Sequence, residues 1–365
     1  MAFGASMDEY EYGLPDSSIA QQPVEPRSAA RLLVAPDVSG TGHVAHVTVG
    51  DLPDLLAPGD VVVVNDTRVL AARLRLAKST GGAAEVLLLE PLDVGSLTWE
   101  ALVRPGRRLP PGTLLYEPDG GPAAVEVGGW TTTEGDGRRS VRLLHPTVID
   151  RVGTMPLPPY IHEELGDGER YQTVFAADSE LADRSAAAPT AGLHFTPDLL
   201  EACTAAGARL VRVDLAIGLD TFRPVTAATP GEHRIHTERY RVPASTFRAC
   251  QEAERVLAVG TTAVRALESA AATGRLSGRT DLYIHGDFTF RVVDLLITNF
   301  HLPRSSLLLL VESFCGPVWR DLYAVALDQG YRFLSFGDAM VVARAGTKGT
   351  PMQPVGGLGD GGAGQ

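Results

Sequence analysis

Val256-Leu257-Ala258-Val259-Gly260-Thr261-Thr262-Ala263-Val264-Arg265 runs a short apolar stretch straight into a helix start, with one glycine between them. The spacing predicts a strand over residues 256–259 and a helix over 261–272 that ends near Gly274. The pattern recurs to either side. Val61-Val62-Val63-Val64 is a continuous β-branched run, the mark of a strand buried on both faces, and Asn65-Asp66-Thr67-Arg68 ends it. Thr196-Pro197-Asp198 supplies an N-cap, a proline at the first helical position and an acidic first turn. That helix runs to about Ala206, Gly207 stops it, and residues 209–217 read as the next strand. A strand over 292–297 precedes a helix over 305–314 that Gly316 stops. Residues 332–336 lead into Gly337-Asp338, and Val341-Val342 resumes an apolar run. Such alternation predicts an α/β fold, a mixed α+β core from about residue 190 onward.

Residues 72–153 follow another rule. Short apolar runs at 84–89, 97–103, 113–116, 123–127 and 140–144 are spaced by Pro-Gly, Asp-Gly and Gly-Gly. That spacing predicts a small antiparallel β-barrel or sandwich. The expected organisation is a large, discontinuous α/β domain (1–71 and 154–345) with a small β-barrel insert (72–153). A Gly-rich disordered tail over 346–365 completes it. The tail contains Gly357-x-Gly359-x-x-Gly362, but no strand precedes it and no helix follows, so it is no dinucleotide fingerprint.

Composition narrows the class. The 365 residues are 44% hydrophobic and 21% charged, ordinary for a soluble globular protein. The acidic N-terminus lacks an apolar signal core, and no apolar run approaches bilayer length. Three scattered cysteines, Cys203, Cys250 and Cys315, fit neither a disulfide framework nor a zinc knuckle. The expectation is a cytoplasmic monomer with no membrane segment and no obligate protein partner. A net charge of −12 argues against broad, charge-driven nucleic-acid binding. Residues 72–155, however, hold ten Lys/Arg and ten Asp/Glu, so that section is neutral and the rest carries the −12. Arg104, Arg107 and Arg108 cluster within it and are weak candidates for nucleic-acid contact; ordinary charge mixing on a solvated face is the alternative.

Three stretches carry candidate chemistry. At Gly260-Thr261-Thr262 the helix start leaves unpaired N–H groups that attract a carboxylate or phosphate, and Arg265 lies one turn on with Glu268 beyond it. The structural alternative is a simple cap with Arg265 and Glu268 as a surface ion pair. In Pro189-Thr190-Ala191-Gly192-Leu193-His194-Phe195 a tight, small-residue turn lets a ligand approach the backbone. His194 there suits a general base or hydrogen-bond donor, or a purely structural imidazole. Thr298-Asn299-Phe300-His301 follows a strand and precedes Pro303, and ligands collect beyond the carboxyl ends of strands in such sheets. Asn65-Asp66-Thr67-Arg68 and Gly337-Asp338 fall under the same argument. His233-x-x-His236-x-Glu238 has ligand character, but no third His or Cys stands at a telling spacing, so no metal is expected.

These motifs resemble the S-adenosylmethionine:tRNA ribosyltransferase-isomerase (QueA) family of queuosine biosynthesis. The likeness runs from about Tyr12 to Val342 and takes in Asn65-Asp66-Thr67-Arg68-Val69, Gly81-Gly82-x-x-Glu85-Val86-Leu87-Leu88-Leu89 and Pro156-Leu157-Pro158-Pro159-Tyr160-Ile161. Tyr171-Gln172-Thr173-Val174-Phe175-Ala176, the three stretches above, and Gly337-Asp338-Ala339-Met340 complete it. The resemblance implies an α/β domain with a small β-barrel insert. It implies S-adenosylmethionine as co-substrate and tRNA carrying preQ1 as partner. The ribosyl group passes to the aminomethyl group of preQ1 at the wobble position, giving epoxyqueuosine with release of adenine and methionine. Catalytic candidates are His194, Asp66, Thr190, Asn299 and His301. Binding candidates are Arg68, Gly192, Phe195, Gly260, Thr261, Thr262, Arg265, Glu268, Thr298, Asp338 and Tyr171.

Several loops depart from the family pattern. Gly218-Leu219-Asp220-Thr221-Phe222 carries Asp220 where the family has glycine, and Asp287 stands in His285-Gly286-Asp287-Phe288 where Pro-Gly-Tyr is usual. Ala71, His162 and Arg184-Ser185-Ala186 are further departures. Added acid would repel a phosphate backbone facing it. A related enzyme using a small-molecule acceptor is therefore one alternative. A non-catalytic RNA-binding protein on the same scaffold is another, and a hydrolase with a metal at His233, His236 and Glu238 a third.

Overall fold

The computed structural model describes residues 6–36, 44–92, 97–131, 137–178, 185–218 and 224–346. The Gly-rich tail beyond 346, Asp220, and the acidic loop of Glu180 and Asp183 with Arg184 lie outside them. In chain order the strands are β1 (Arg31–Ala35), β2 (Ala45–Thr48), β3 (Asp60–Asn65), β4 (Arg73–Lys78), β5 (Ala83–Pro91), β6 (Thr98–Arg104), β7 (Thr113–Tyr116) and β8 (Ala123–Trp130). They continue as β9 (Arg138–Leu143), β10 (Gly153–Thr154), β11 (Arg209–Leu215), β12 (Glu238–Arg241), β13 (Arg255–Val259), β14 (Ser277–Thr280), β15 (Leu295–Asn299) and β16 (Ala339–Ala343). The α-helices are α1 (Val148–Val152), α2 (Pro197–Ala205), α3 (Ala244–Glu252), α4 (Thr261–Thr273), α5 (Ser306–Cys315) and α6 (Trp319–Asp328).

Among the described residues the large sheet has nine strands, ordered β14-β12-β11-β3-β13-β15-β16-β1-β2. Its centre, β11-β3-β13-β15, is parallel, and β16 joins β15 antiparallel. Alternate side chains of the central strands enter opposite cores. Val61 and Val63 pack with α4, α5 and α6, while Val62 and Val64 pack with Leu199 and Cys203 of α2 and with Leu52 and Leu55. Burial on both faces explains why this strand reads as an unbroken valine run. Helix starts and stops follow local chemistry. The Thr196 hydroxyl accepts from the Leu199 N–H at 3.1 Å, and Ser305 caps α5 through the Leu308 N–H at 3.2 Å. Gly274, at φ +68°, closes α4 in the left-handed conformation that a side chain would strain. The expected strand over 292–297 is displaced to Leu295–Asn299. Residues 291–293 instead give their N–H groups to the Glu268 carboxylate.

The barrel leaves this sheet between two neighbours. β3 and β11 pair directly, and the chain between them builds strands ordered β10-β4-β5-β6-β9-β8-β7, closed by a β4–β7 pairing. The closed barrel is six-stranded and antiparallel, with β10 pairing the start of β4 on the edge whose end pairs with β7. Leu74, Val86, Trp99, Ala101, Leu115, Val125 and Val141 fill it. Two polar bridges tie it to the sheet edge. Arg279 of β14 meets Glu90 at 3.1 Å, and Arg138 of β9 lies 3.1 Å from the His236 imidazole.

Candidate active site

Because β3, β13 and β15 run parallel, Asn65, Val259 and Asn299 finish at one edge of the sheet. Antiparallel β16 starts there, which brings Asp338 to the same edge. Strands spaced ~4.8 Å apart put the ends of β3 and β15 roughly 10 Å from one another. The turn Thr190–His194 packs across this edge against β15.

Here distant segments join. Thr190 Oγ1 donates to Asn299 Oδ1 at 3.2 Å, and Asn299 Nδ2 donates to the Leu334 carbonyl at 3.1 Å. The same Nδ2 lies 3.2 Å from His194 Nε2. Carbonyl partners fix which end of the amide is NH2, so Nε2 of His194 is an acceptor and its proton resides on Nδ1. Beside them Thr298 Oγ1 and His301 Nε2 are 2.8 Å apart, while the His301 N–H donates to the Tyr323 hydroxyl at 2.9 Å. Burial lowers the His194 pKa to about 4, helped by Arg332, Arg27 and Arg170, and burial alone lowers that of His301 to about 3. Both imidazoles are neutral at pH 7.

A cavity opens onto this cluster, lined by Thr190, Asn299, His301, Leu307, Ser335 and Tyr160. The Tyr160 and Ser335 hydroxyls pair across it at 2.8 Å. Leu307 also lines a second cavity of about 280 Å³, so the two adjoin along the start of α5. Arg265 forms part of that second wall and is only 5% exposed. Its Nη1 pairs with Glu238 and its Nε donates to the Leu282 carbonyl at 3.1 Å, but Nη2 has no partner. The Tyr283 hydroxyl in the same wall is likewise buried without a partner. The cavity wall thus holds two buried donors without an acceptor, an arrangement with the chemistry to take a carboxylate.

Other candidate residues are placed elsewhere. Asp66 lines a separate cleft with Asp214, Arg239 and Arg241; burial and Asp214 raise its pKa to about 6, against Arg212 and Arg241. Arg68 at the same strand end is half-buried, with no ion pair among the described residues. A Cβ on Gly192 would meet the Phe175 ring at 2.7 Å, so its missing side chain is taken up by packing rather than by a ligand. Phe195 and Tyr171 are fully buried, edge-on against Phe175 and Phe336. Gly260, at φ +89°, turns the chain into α4, and Thr261 and Thr262 are buried beyond it, the Thr262 hydroxyl without a partner. Glu268 is fully buried rather than part of a surface pair, its carboxylate accepting the N–H groups of Arg291, Val292 and Val293. Asp338 accepts from the backbone of Arg31 and Arg332. Arg104 is exposed in a cleft between the barrel and residues 153–168, and Arg107 and Arg108 share the turn Gly106–Arg108. Of the metal candidates, Glu238 is held by Arg265 and the Gly218 N–H, and His233 stacks edge-on with Tyr283. No group of three ligand-type residues occurs among the described residues.

Sequence reasoning missed Tyr160, Ser335, Tyr283 and the pairing of Glu238 with Arg265. Tyr160 lay inside a motif of the resemblance but carried no role. Glu238 lies 27 residues before Arg265, on another element, so no local spacing signals the pair.

A family model described as queuosine biosynthesis protein matches residues 7–342. The S-adenosylmethionine:tRNA ribosyltransferase-isomerase of Rubrobacter xylanophilus is 48% identical over 341 residues, covering 93% of this chain and 98% of that protein. Its namesake from Thermus thermophilus is 46% identical over 350 residues, covering 92% and 99%. The crystal structure of S-adenosylmethionine tRNA ribosyltransferase from Thermotoga maritima covers 91% of this chain and 99% of its own, with a TM-score of 0.51 and 34% identity.

Proposed function

This chain belongs to the family of queuosine biosynthesis proteins and is an enzyme, and from that premise we propose that it transfers and isomerises the ribosyl group of S-adenosylmethionine onto preQ1 at the wobble position of tRNA. Adenine and methionine leave, the ribose becomes an epoxycyclopentanediol, and the product is epoxyqueuosine. The work is cytoplasmic. The sulfonium acidifies C5′, so the reaction needs a base there, a proton source for departing adenine and a clamp for the methionine carboxylate. We assign proton transfer to His194 and His301, neutral at pH 7, with Asn299, Thr190 and Thr298 holding them. Residues 72–153 form the insert facing the acceptor.

The observation that carries the donor reading is the unpartnered Nη2 of buried Arg265 beside the unpartnered Tyr283 hydroxyl. Their cavity adjoins the imidazole cluster through Leu307. A carboxylate held there leaves the rest of S-adenosylmethionine to reach Thr190, Asn299 and His301. Decarboxylated S-adenosylmethionine tests this. Wild type binds it about 10- to 100-fold more weakly than S-adenosylmethionine, the loss expected for hydrogen bonds to a charged group. The double variant Arg265→Met/Glu238→Gln removes the pair without stranding a buried charge, and it binds both compounds alike. A wild type indifferent to the carboxylate contradicts the assignment.

A further inference from the structure

The barrel carries an aromatic feature that the donor site does not use. Trp130, the last residue of β8, is 54% exposed, whereas Trp99 and Trp319 are 2% and 1% exposed. The Arg139 guanidinium lies over its ring, 4.8 Å from the centroid. Arg139 itself is 1% exposed and points its donors at carbonyls: Gly128 at 3.0 Å from Nε, and Gly106 at 3.0 Å and Leu109 at 2.7 Å from Nη1. No carboxylate pairs with it among the described residues, and burial lowers its pKa. One un-neutralised cation therefore holds an exposed indole to the turn Gly106–Arg108, where Arg108 is exposed. The indole covers a buried guanidinium that no carboxylate among the described residues neutralises, and it leaves much of its own surface open to solvent.

The position is as telling as the chemistry. Trp130 pairs in register with Arg139, and the preceding Arg138 reaches His236 on the wall of the Arg265 cavity. Trp130 therefore lies at the barrel end nearest that cavity, on the face of β9 opposite Arg138, because successive strand residues point to opposite faces. A flat π-face, a positive field beneath it and exposed arginine at its side match an unstacked base with its phosphate.

We propose that Trp130 is a stacking platform for an unpaired base of the RNA acceptor, with Arg139 as the residue that positions it and Arg108 facing the phosphates. The proposal rests on the tRNA reading above and names the surface that reading requires. It also accounts for RNA binding by a chain of net charge −12, since a local aromatic and basic patch replaces a basic surface.

Tryptophan fluorescence reads the platform directly, because the other two indoles are buried. Titration with a preQ1-bearing anticodon hairpin is expected to quench wild-type emission and to protect it from iodide. Trp130→Ala loses about 5- to 100-fold in hairpin affinity, the range for one base–aromatic stack, and raises the KM for RNA while kcat and S-adenosylmethionine affinity stay put. Trp130→Phe, which keeps a π-face, recovers most of the affinity. Unchanged emission together with Trp130→Ala affinity within about twofold of wild type overturns the platform and leaves the tRNA reading standing. A wild type that binds no hairpin overturns the tRNA reading, and this inference with it.

Discussion

His194 and Asp66 entered as interchangeable candidates for proton transfer, and their surroundings separate them. His194 pairs with Asn299, which itself holds Thr190; these two line the cavity, and the imidazole lies behind them on a small pocket with Arg27 and Arg170. Asp66 sits in a different cleft among Arg239 and Arg241. His194→Gln is therefore expected to lower kcat by about 100-fold or more, the usual scale for a lost proton-transfer group, while Asp66→Asn changes it less than about threefold. Steady-state kinetics with saturating tRNA checks this, and the reverse order would transfer the role to Asp66. The two imidazoles also make a stability prediction. Their folded pKa values, about 4 and about 3, lie below the ordinary histidine value. The stability they contribute is whole above pH ~6.5 and is lost as pH falls toward the folded values, because the unfolded chain takes up the protons first. Thermal melts should drop through the window from pH ~6.5 to about 3, and His301→Gln should make that drop shallower. Both histidines were visible in the sequence as residues at strand and helix ends. That one Asn299 amide sets the His194 tautomer was not, since 105 residues separate them.

Among the elements, the strand–helix units were the most legible part. An unbroken valine run, Thr196-Pro197 and Ser305 each have a local cause, and local causes survive in sequence. Glu268 shows where locality ends. Its place on α4 was readable, but its three N–H partners come from the loop before β15. Those contacts also explain why that strand begins at Leu295 rather than at Val292. A second non-local link lies at the opposite end of the sheet. Arg255 of β13 grips Asp60 of β3 with Nε at 2.8 Å and Nη2 at 2.5 Å, both side chains buried. Asp60→Ala strands a buried guanidinium and is expected to cost about 3–5 kcal/mol in a urea denaturation. The pair lies away from the strand ends that carry the site, so kcat of the folded fraction should hold within about twofold. A large fall in kcat would mean that the strand register, not only stability, depends on this pair.

For the molecule as a whole, turn spacing separated a small β insert, barrel or sandwich, from an α/β body, and a closed six-stranded barrel beside a mixed sheet is what the chain forms. Less legible was how the two meet. The barrel departs and returns through adjacent strands β3 and β11, and Arg138–His236 and Arg279–Glu90 dock it against the sheet edge nearest Arg265. Docking of that kind depends on side chains nearly 100 and 189 residues apart, which no periodicity encodes. Under the proposed function the donor occupies the cavities at the sheet edge and the acceptor lies along the barrel. That function requires both to be consumed in one reaction. The purified enzyme, incubated with S-adenosylmethionine and preQ1-bearing tRNA, should release adenine and methionine in equal amounts. Mass spectrometry of the digested tRNA should then find epoxyqueuosine in matching quantity. S-adenosylmethionine bound but the tRNA unchanged, or a methylated nucleoside in place of epoxyqueuosine, would contradict it.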